Sequence, residues 1–469
     1  MKNLSKSIGT WEVWVAGVAL VVAASTMVTD FTGFFTLGAG FAIALVLGFV
    51  LNLLLAFSAA ELSVAHPRAG ALYDYTRNIF SGKTGHFLGV FLGLSFFGMF
   101  AFTASGETAA GAYGLQALFH SDLDIRYFIS SLMVLATIPN LLGLKTTAWV
   151  SAVLLLLMLG IRWFFGLSGL MGAGGEWEWS HLIASHALQF SGERGILTSG
   201  LALAFWSFVG IEFACSLAEE VRSPRKSIPR GLVLGLVGIL ITSLVMGIGV
   251  TGVLPLDAWD EIVNGALGQQ GEAPQLAVGQ VFFGKTGYYL MALASVSATL
   301  GTLTVAFAAM PRIIYSIARD GRFFGPLSKP FGKLHPKYNT PVNATLLTLV
   351  IYLIPSLYSS AVVEWLYSAA YVWILLYMVF HLLAIINRYQ QPSTVKTFST
   401  PTLWFITTTG LLCTAVGLYY AFEGAHIQYG GKALVVLIAA LAATGISFAI
   451  PHKNTVVSAA KRDKVRKAA

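Results

Sequence analysis

Residues 201–212 read Leu-Ala-Leu-Ala-Phe-Trp-Ser-Phe-Val-Gly-Ile-Glu, an apolar run that is interrupted by a glycine and closed by an acid. A similar stretch lies near the N-terminus, where a segment that opens apolar at Trp14 turns polar over Ser25-Thr26 and Thr29–Gly33. Lipid cannot satisfy backbone N–H and C=O groups, so a spanning helix unwinds only where it lines a cavity or is buried in protein. Gly33 and Gly210, each with an acid within three residues, are predicted to mark two unwound helices beside a binding site halfway across a membrane. The other interpretation of each glycine is close helix packing.

The composition places the whole chain in a membrane. Of its 469 residues, 56% are hydrophobic and only 11% are charged, whereas a soluble domain carries about 25% charged residues. Hydropathy predicts an all-α membrane protein with twelve transmembrane helices in a single domain, residues 1–469, whose last part, 452–469, is a basic cytoplasmic tail. The predicted spans are 14–37, 41–64, 86–118, 127–143, 146–171, 196–217, 231–253, 286–316, 341–356, 362–387, 401–422 and 432–451.

The distribution of Lys and Arg predicts the topology. With the N-terminus in the cytoplasm, most of the 29 Lys and Arg residues fall in inner loops and tails. The outer loops hold only Arg126, Arg194, Lys285 and Lys432. By the positive-inside rule we expect a multi-pass protein of a bacterial-type cytoplasmic (inner) membrane, with both termini in the cytoplasm. Topology and lipid contact explain the net charge of +8, so no nucleic-acid partner is expected.

Three acids lie inside predicted spans: Asp30 in the first, Glu107 in the third and Glu212 in the sixth. A charged acid at the bilayer centre costs about 2.5–3.5 kcal/mol, so such groups usually line a polar cavity, where they bind cations or carry protons. We therefore expect a transporter with a positively charged substrate or a proton as cargo. The other interpretation of each acid is a neutral, hydrogen-bonded carboxylic acid packed between helices.

The predicted substrate site surrounds these acids. A 4-3-4 spacing places Phe96, Phe100, Thr103 and Glu107 on one face of the third span. Aromatic rings near the acids can add about 0.5–2 kcal/mol of cation–π attraction to an ammonium group. The predicted substrate-binding residues are Ser25, Thr26, Thr29, Asp30, Phe31, Gly33, Phe96, Phe100, Thr103, Glu107, Trp206, Ser207, Phe208, Val209, Gly210 and Ser368.

The coupling ion is expected to be a proton, with sodium as the alternative. Proton coupling is predicted for Glu212, Glu107 and Asp30, and a sodium ion could bind Ser297 and Thr299. No catalytic residue, resident metal or cofactor is predicted.

Four motifs resemble those of the amino acid–polyamine–organocation (APC) superfamily. They lie in the ranges 61–75, 140–145, 205–229 and 312–341. The resemblance implies a LeuT-like fold with two inverted five-helix repeats, about 14–171 and 196–387, in which helices 1 and 6 are unwound, and two further C-terminal helices, about 401–451. It also implies alternating access around a central site. The string from Trp206 to Glu212 is similar to that of the bacterial arginine/agmatine antiporter, which implies that Trp206 covers the substrate and that Glu212 senses protons.

The first and fifth spans depart from the family pattern. The Gly-Ser-Gly that cradles an amino-acid carboxylate in the family is replaced by Ala23–Met27, and Asp30 is similar instead to the acid of ethanolamine and putrescine permeases. These departures favour an amine without a carboxylate. Met158 stands where some proton-coupled members place Lys, and Arg162 follows one turn later.

We therefore expect a secondary transporter that moves a small amine or amino acid by alternating access and is linked to protons. The alternative is a neutral amino acid permease in which Asp30 is structural and sodium is the coupling ion. A channel is less favoured, because neither repeated pore loops nor a ring of like charges is seen in the sequence. Membrane lipid and the small-molecule substrate are the expected partners of a monomer or homodimer, and no enzymatic activity is expected.

Overall fold

The chain is almost entirely helical in the computed structural model, which describes residue 6 and residues 8–183, 188–192, 195–269, 271–358, 362–423 and 427–450. In these residues the prediction of an all-α protein is confirmed, with a single isolated bridge between Ile8 and Val221. The helices are α1 (Thr10–Val21), α2 (Ala24–Leu37), α3 (Ala39–Ala65), α4 (Leu72–Phe80), α5 (Gly82–Phe119), α6 (Ile125–Leu141), α7 (Leu144–Leu170), α8 (Trp179–Leu182), α9 (Leu201–Trp206), α10 (Pro224–Thr251), α11 (Leu256–Asn264), α12 (Pro274–Arg319), α13 (Ser328–Phe331), α14 (Val342–Ser356), α15 (Val362–Gln390), α16 (Thr400–Glu423) and α17 (Ile427–Ala449).

Several of these helices can cross a membrane. Seven helical segments of the described chain are long and apolar enough, and the bent pair α1–α2 makes eight if it counts as one span. Three shorter apolar helices add to them: α6, α14 and the 434–449 part of α17. The chain is therefore an integral membrane protein with multiple spans, while the total of twelve stays a prediction.

The first span is broken, but earlier than the sequence suggested. α1 and α2 are bent by 56° at the short gap between them, where Ala23 has extended backbone (φ −90°, ψ 167°). Gly33, the predicted point of interruption, instead lies inside α2. A Cβ atom on Gly33 would lie 2.2 Å from the ring of Phe41, so this glycine serves close packing and the predicted position of the break was wrong.

The sixth span is interrupted where the sequence predicts. It opens with a π-helical turn, Ile196–Gly200, continues as α9, turns through residues 207–210 and ends as a 3₁₀ segment, Ile211–Glu220. Gly210 has φ +114°, a left-handed conformation that side chains disfavour. A Cβ atom there would lie 2.2 Å from Cδ2 of Leu20, so the turn also passes directly against α1.

The two broken spans lie side by side and run antiparallel. α1 packs against the 3₁₀ segment Ile211–Glu220, and α2 packs against α9. Since α1 precedes α2 whereas α9 precedes the 3₁₀ segment, each half of one span contacts the oppositely ordered half of the other. The long helices α5 and α12 pack against each other beside them, and α15 packs against α5. The two helix breaks therefore meet inside the bundle.

Ion pairs gather at the end of the bundle that the positive-inside rule assigns to the cytoplasm. Arg312 Nε lies 2.7 Å from Glu220 Oε2, and Arg319 Nη1 lies 2.9 Å from Glu219 Oε1. Arg388 pairs with Glu61, and Arg77 pairs with Asp320. These contacts tie α12 to the end of the sixth span and α15 to α3.

Candidate functional site

The carboxylate of Glu107 lies at the N-terminus of α2. Its Oε1 accepts a hydrogen bond from the Ala24 N–H (3.0 Å), and its Oε2 accepts one from the Ser25 N–H (2.9 Å). The hydroxyl of Thr299 on α12 donates to Oε1 at 2.6 Å. The first N–H groups of a helix have no partner within it and carry partial positive charge, so an anion is stabilised there. Glu107 thus satisfies the backbone that the break in the first span exposes, which explains why the break falls at Ala23.

A cavity lies between the two helix breaks. The space between its lining atoms, counting the open solvent at its mouth, is about 290 Å³. In the described part of the chain, Glu107 is the only ionisable side chain of its lining. The lining residues are Leu20, Val21, Ala23, Ser25, Thr26, Phe100, Thr103, Glu107, Trp206, Val209, Gly210, Phe213, Thr302 and Trp373.

Hydrogen bonds and ring contacts hold the aromatic wall of this cavity in place. The Trp206 Nε1–H donates to the Ser25 hydroxyl at 3.4 Å, and the Trp373 Nε1–H donates to the Thr103 hydroxyl at 3.0 Å. The rings of Phe100 and Phe213 contact edge to face, with centroids 5.1 Å apart. Fixed aromatic faces around one carboxylate suit a small cation, since both attract positive charge.

The comparison with known proteins decides the family. The family described as amino acid permease matches residues 8–444. The chain belongs to the amino acid permease family. It is therefore a transporter of the APC superfamily and not an enzyme.

Three relatives show how far the similarity of this permease extends. The branched-chain amino acid permease of Bacillus subtilis is 23% identical over 375 residues, which cover 73% of each chain. An uncharacterised transporter of Rhizobium meliloti is 29% identical over 366 residues, covering 75% of this chain and 72% of that protein. The methylthioribose transporter of Bacillus subtilis is 24% identical over 374 residues, covering 75% and 74%.

Half of the predicted substrate-binding residues of the permease line the cavity. They come from both helix breaks and from α5, which carries the predicted face of the third span. These residues are Ser25, Thr26, Phe100, Thr103, Glu107, Trp206, Val209 and Gly210.

Seven of the other eight predicted substrate-binding residues lie outside the cavity lining. Phe96 lies behind it, with its ring centroid 5.1 Å from that of Phe213. Phe31 stacks on Phe35, at 5.4 Å between centroids, and the Thr29 hydroxyl donates to the carbonyl of Thr26. Phe208 packs against Phe49. Asp30, Gly33 and Ser207 also lie outside the lining. The side chain of Ser368 lies outside the described residues.

Asp30 is engaged by other protein groups. Its Oδ2 lies 2.5 Å from Arg162 Nη2 and accepts a hydrogen bond from Ser243 at 2.7 Å. Its Oδ1 accepts one from Ser207 at 2.7 Å. The expectation that Asp30 meets an ammonium group in the cavity therefore does not fit this geometry, because its charge is already paired with a cation and lies outside the lining.

Glu212 lies directly behind the turn at Gly210. Its Oε2 accepts a hydrogen bond from the Gly210 N–H at 3.2 Å and lies 3.4 Å from the Tyr377 hydroxyl. Its Oε1 is buried with no hydrogen-bond partner among the described groups. Burial of an unpaired charge is costly, so a carboxyl group in this setting is suited to carry a proton.

The two predicted sodium ligands have other partners. The Ser297 hydroxyl donates to the carbonyl of Leu293 on its own helix, at 2.7 Å, and the Thr299 hydroxyl contacts Glu107. The hydroxyl that reaches the end of α1 is that of Thr302, 3.0 Å from the Ala19 carbonyl oxygen. The described residues contain no group of three His, Cys, Asp or Glu that could hold a metal ion.

Sequence reasoning missed Phe213, Trp373 and Thr302 as cavity residues. Thr302 could have been found, because it follows Thr299 by three positions on α12 and so shares its helix face. Phe213 comes directly after Glu212, but the 3₁₀ geometry that turns it into the cavity has no signal in the sequence. Trp373 was one of several aromatic residues in α15 and carried no distinguishing pattern.

Proposed function

We propose that this permease is a secondary transporter that moves a small amine or amino acid across the cytoplasmic membrane by alternating access. The observation that carries the proposal is the cavity between the two helix breaks, with the carboxylate of Glu107 in its wall. A site at paired helix interruptions is typical of transporters in which two bundles rock around a fixed substrate. Membership of the amino acid permease family supports the same class of cargo.

The proposed architecture has twelve spans, an inverted repeat of five plus five helices, and both termini in the cytoplasm. Its support is the antiparallel contact of the two broken spans, since an axis in the membrane plane relates such a pair. The gathering of Arg77, Arg319 and Arg388 at one end of the bundle supports the predicted inner side.

A proton is the proposed coupling ion. Glu212 is buried beside the turn of the sixth span and pairs with no Lys or Arg in the described chain, so its proton can be exchanged as the turn moves. A second candidate is a neutral amino acid permease in which Asp30 is structural. The ion pair between Asp30 and Arg162 favours this role for Asp30. The named relatives carry branched-chain amino acids or methylthioribose, so the family alone leaves both cargo classes open.

The test is uptake by purified protein in liposomes. A panel of radiolabelled amines and amino acids is offered with and without an inward proton gradient. We expect saturable uptake of at least one panel member, and a loss of about thirtyfold or more in Trp206→Ala, since an aromatic anchor in a binding pocket contributes roughly 2 kcal/mol or more.

The matched control is Trp149→Ala. Trp149 is 75% exposed on α7, so its removal should leave uptake unchanged. The proposal fails if no panel member enters faster than into empty liposomes, or if the two tryptophan variants behave alike.

A further inference from the structure

We infer that Glu107 is a specificity-determining residue: its carboxylate fills the backbone anion site at the start of α2, so the permease selects a cationic amine that needs no carboxylate. The inference rests on the proposed function and names its substrate class.

The first step is that the protein supplies its own carboxylate to the helix terminus. The successive N–H groups of Ala24 and Ser25 donate to the two oxygens of Glu107, at 3.0 and 2.9 Å. This is the arrangement in which a helix N-terminus binds a free carboxylate or phosphate. Because Glu107 is only 1% exposed and also lines the cavity, a substrate carboxylate could reach these two donors only by displacing it.

The second step is the charge of the cavity. Its described lining contains no Lys, Arg or His. The nearby cation Arg162 is bound to Asp30 outside that lining. A carboxylate on the substrate would therefore face the charge of Glu107 without a compensating cation, and like charges repel strongly where little water screens them.

The third step is that a cation fits where an anion does not. The described donors to Glu107 are the N–H groups of Ala24 and Ser25 and the hydroxyls of Thr299 and Ser25. Donors on every side favour the negative charge of the carboxylate, and that charge attracts an ammonium group in the cavity. The rings of Trp206, Phe213 and Trp373 lie in the same lining and add cation–π attraction.

Thr299 acts as a positioning residue for this carboxylate. α5 and α12 approach closely at Gly111, where a Cβ atom would lie 2.4 Å from Thr299 Oγ1. The glycine leaves room for the hydroxyl to reach Glu107 Oε1. The carboxylate is thus held from both sides, by the start of α2 and by α12.

A binding experiment tests the anion site without any substrate. Glu107→Ala empties the site, and formate is added to the purified protein while thermal unfolding is followed. Formate should raise the melting temperature of Glu107→Ala by several degrees more than chloride at equal ionic strength. It should produce no such excess in the wild-type protein or in Glu107→Gln, whose amide still occupies the site. Equal effects of formate and chloride on Glu107→Ala would overturn the inference.

A competition experiment tests the substrate class with pairs that differ only by the carboxylate: isobutylamine and valine, ethanolamine and serine, agmatine and arginine. In the wild type the amine of the effective pair should compete about tenfold better or more, which corresponds to one lost charge-assisted hydrogen bond. In Glu107→Gln that preference should shrink to near parity. If Glu107→Ala does not fold, the competition experiment with Glu107→Gln still tests the inference.

The outcomes separate the two proposals. Transport in which the amino acid of each pair is preferred, and in which Glu107→Gln keeps that preference, would sink the inference and leave the transport function standing. Transport of neither class would remove the proposed function, while the formate experiment would still report on the anion site.

Discussion

Asp30 of α2 and Arg162 of α7 form an ion pair in which both side chains are almost fully buried, with exposed fractions of 2% and 1%. Ser207 and Ser243 donate hydrogen bonds to the same carboxylate, and Arg162 Nε contacts the sulfur of Met246. The pair therefore connects α2 and α7 with α10 and with the turn of the sixth span. This buried cluster of charged and polar side chains therefore has a structural role in the folded bundle.

Removal of one partner of this pair should destabilise the protein. Asp30→Asn leaves the guanidinium of Arg162 buried without a counter-charge, and breaking a buried ion pair in this way costs about 3–5 kcal/mol. The loss is measured as a fall in thermal stability of the purified protein in detergent. The double variant with Arg162→Met should recover part of it, because neither charge then remains unpaired.

The control for the Asp30 and Arg162 variants is Asp257→Asn, at an exposed position at the start of α11. It should leave stability within about 0.5 kcal/mol of the wild type. Equal stability of Asp30→Asn and Asp257→Asn would mean that the charge pair does not form in the folded protein.

Gly210 should be intolerant of any side chain. Its φ of +114° is unfavourable for other residues, and an added Cβ atom would collide with Leu20 at 2.2 Å. Gly210→Ala should therefore cost about 1–3 kcal/mol of stability and reduce uptake by displacing the turn from α1.

Gly238→Ala provides the matched comparison. Gly238 lies within α10, and nothing lies within 4 Å of a Cβ atom built there. Alanine is the better helix former by about 1 kcal/mol, so this change should be neutral or stabilising. Both variants are compared by thermal unfolding and by uptake, and a Gly210→Ala protein as stable as Gly238→Ala would contradict the described turn.

The sequence was sufficient to predict the two broken spans and the acid-bearing face of α5. Unsatisfied backbone in lipid is so costly that polar interruptions in apolar runs are informative, and helical spacing grouped Phe100, Thr103 and Glu107, which all line the cavity. The same spacing included Phe96, which packs behind Phe213 instead. A helix face is about a third of the circumference, so spacing alone does not decide which edge of that face reaches a cavity.

The sequence could not show whether Asp30 or Glu107 lines the cavity. Both are acids in apolar runs, and their roles depend on a third residue from a distant span. Arg162 pairs with Asp30 only because the folded bundle brings a side chain of α7 within reach of α2. The position of the first break was hidden for a similar reason, since Glu107 from α5 stabilises the exposed N–H groups at Ala24 and Ser25.

The stability of the permease should depend on pH through His66, which follows α3 at the predicted cytoplasmic side. Burial lowers the pKa of His66 below its ordinary value of 6.5, although its hydrogen bond with Asn387 opposes this. The unfolded chain therefore binds the proton more readily than the folded one. The contribution of His66 to stability is fully present above pH 6.5 and is lost as the pH falls from there through the lower pKa of the folded state.

The variant His66→Gln checks this dependence. Its thermal stability should fall less steeply than that of the wild type between about pH 7 and pH 5. The amide can still donate to Asn387, so the hydrogen bond is not the variable. Parallel stability profiles of the two proteins would show that His66 does not titrate differently on folding.

Glu212 should control the pH dependence of transport. Its carboxyl group hydrogen-bonds the Gly210 N–H at the turn of the sixth span, so its charge is coupled to the part of the helix that borders the cavity. Glu212→Gln keeps the shape and the hydrogen bond but cannot exchange a proton. Away from its pKa, a single titrating group changes the population of its minor protonation state about tenfold per pH unit. The flux of the variant should therefore be nearly independent of pH where that of the wild type varies strongly.

The matched control is Glu261→Gln, at an exposed position of α11, which should keep the wild-type profile. Tyr377→Phe removes the hydroxyl 3.4 Å from Glu212 Oε2 and should shift the midpoint of the profile without flattening it, since the carboxyl group remains. The three variants are compared as initial uptake rates in liposomes over a series of external pH values. If Glu212→Gln retains the wild-type profile, the proton must travel through another group, and Glu107, which is the ionisable residue of the described cavity lining, becomes the next to test.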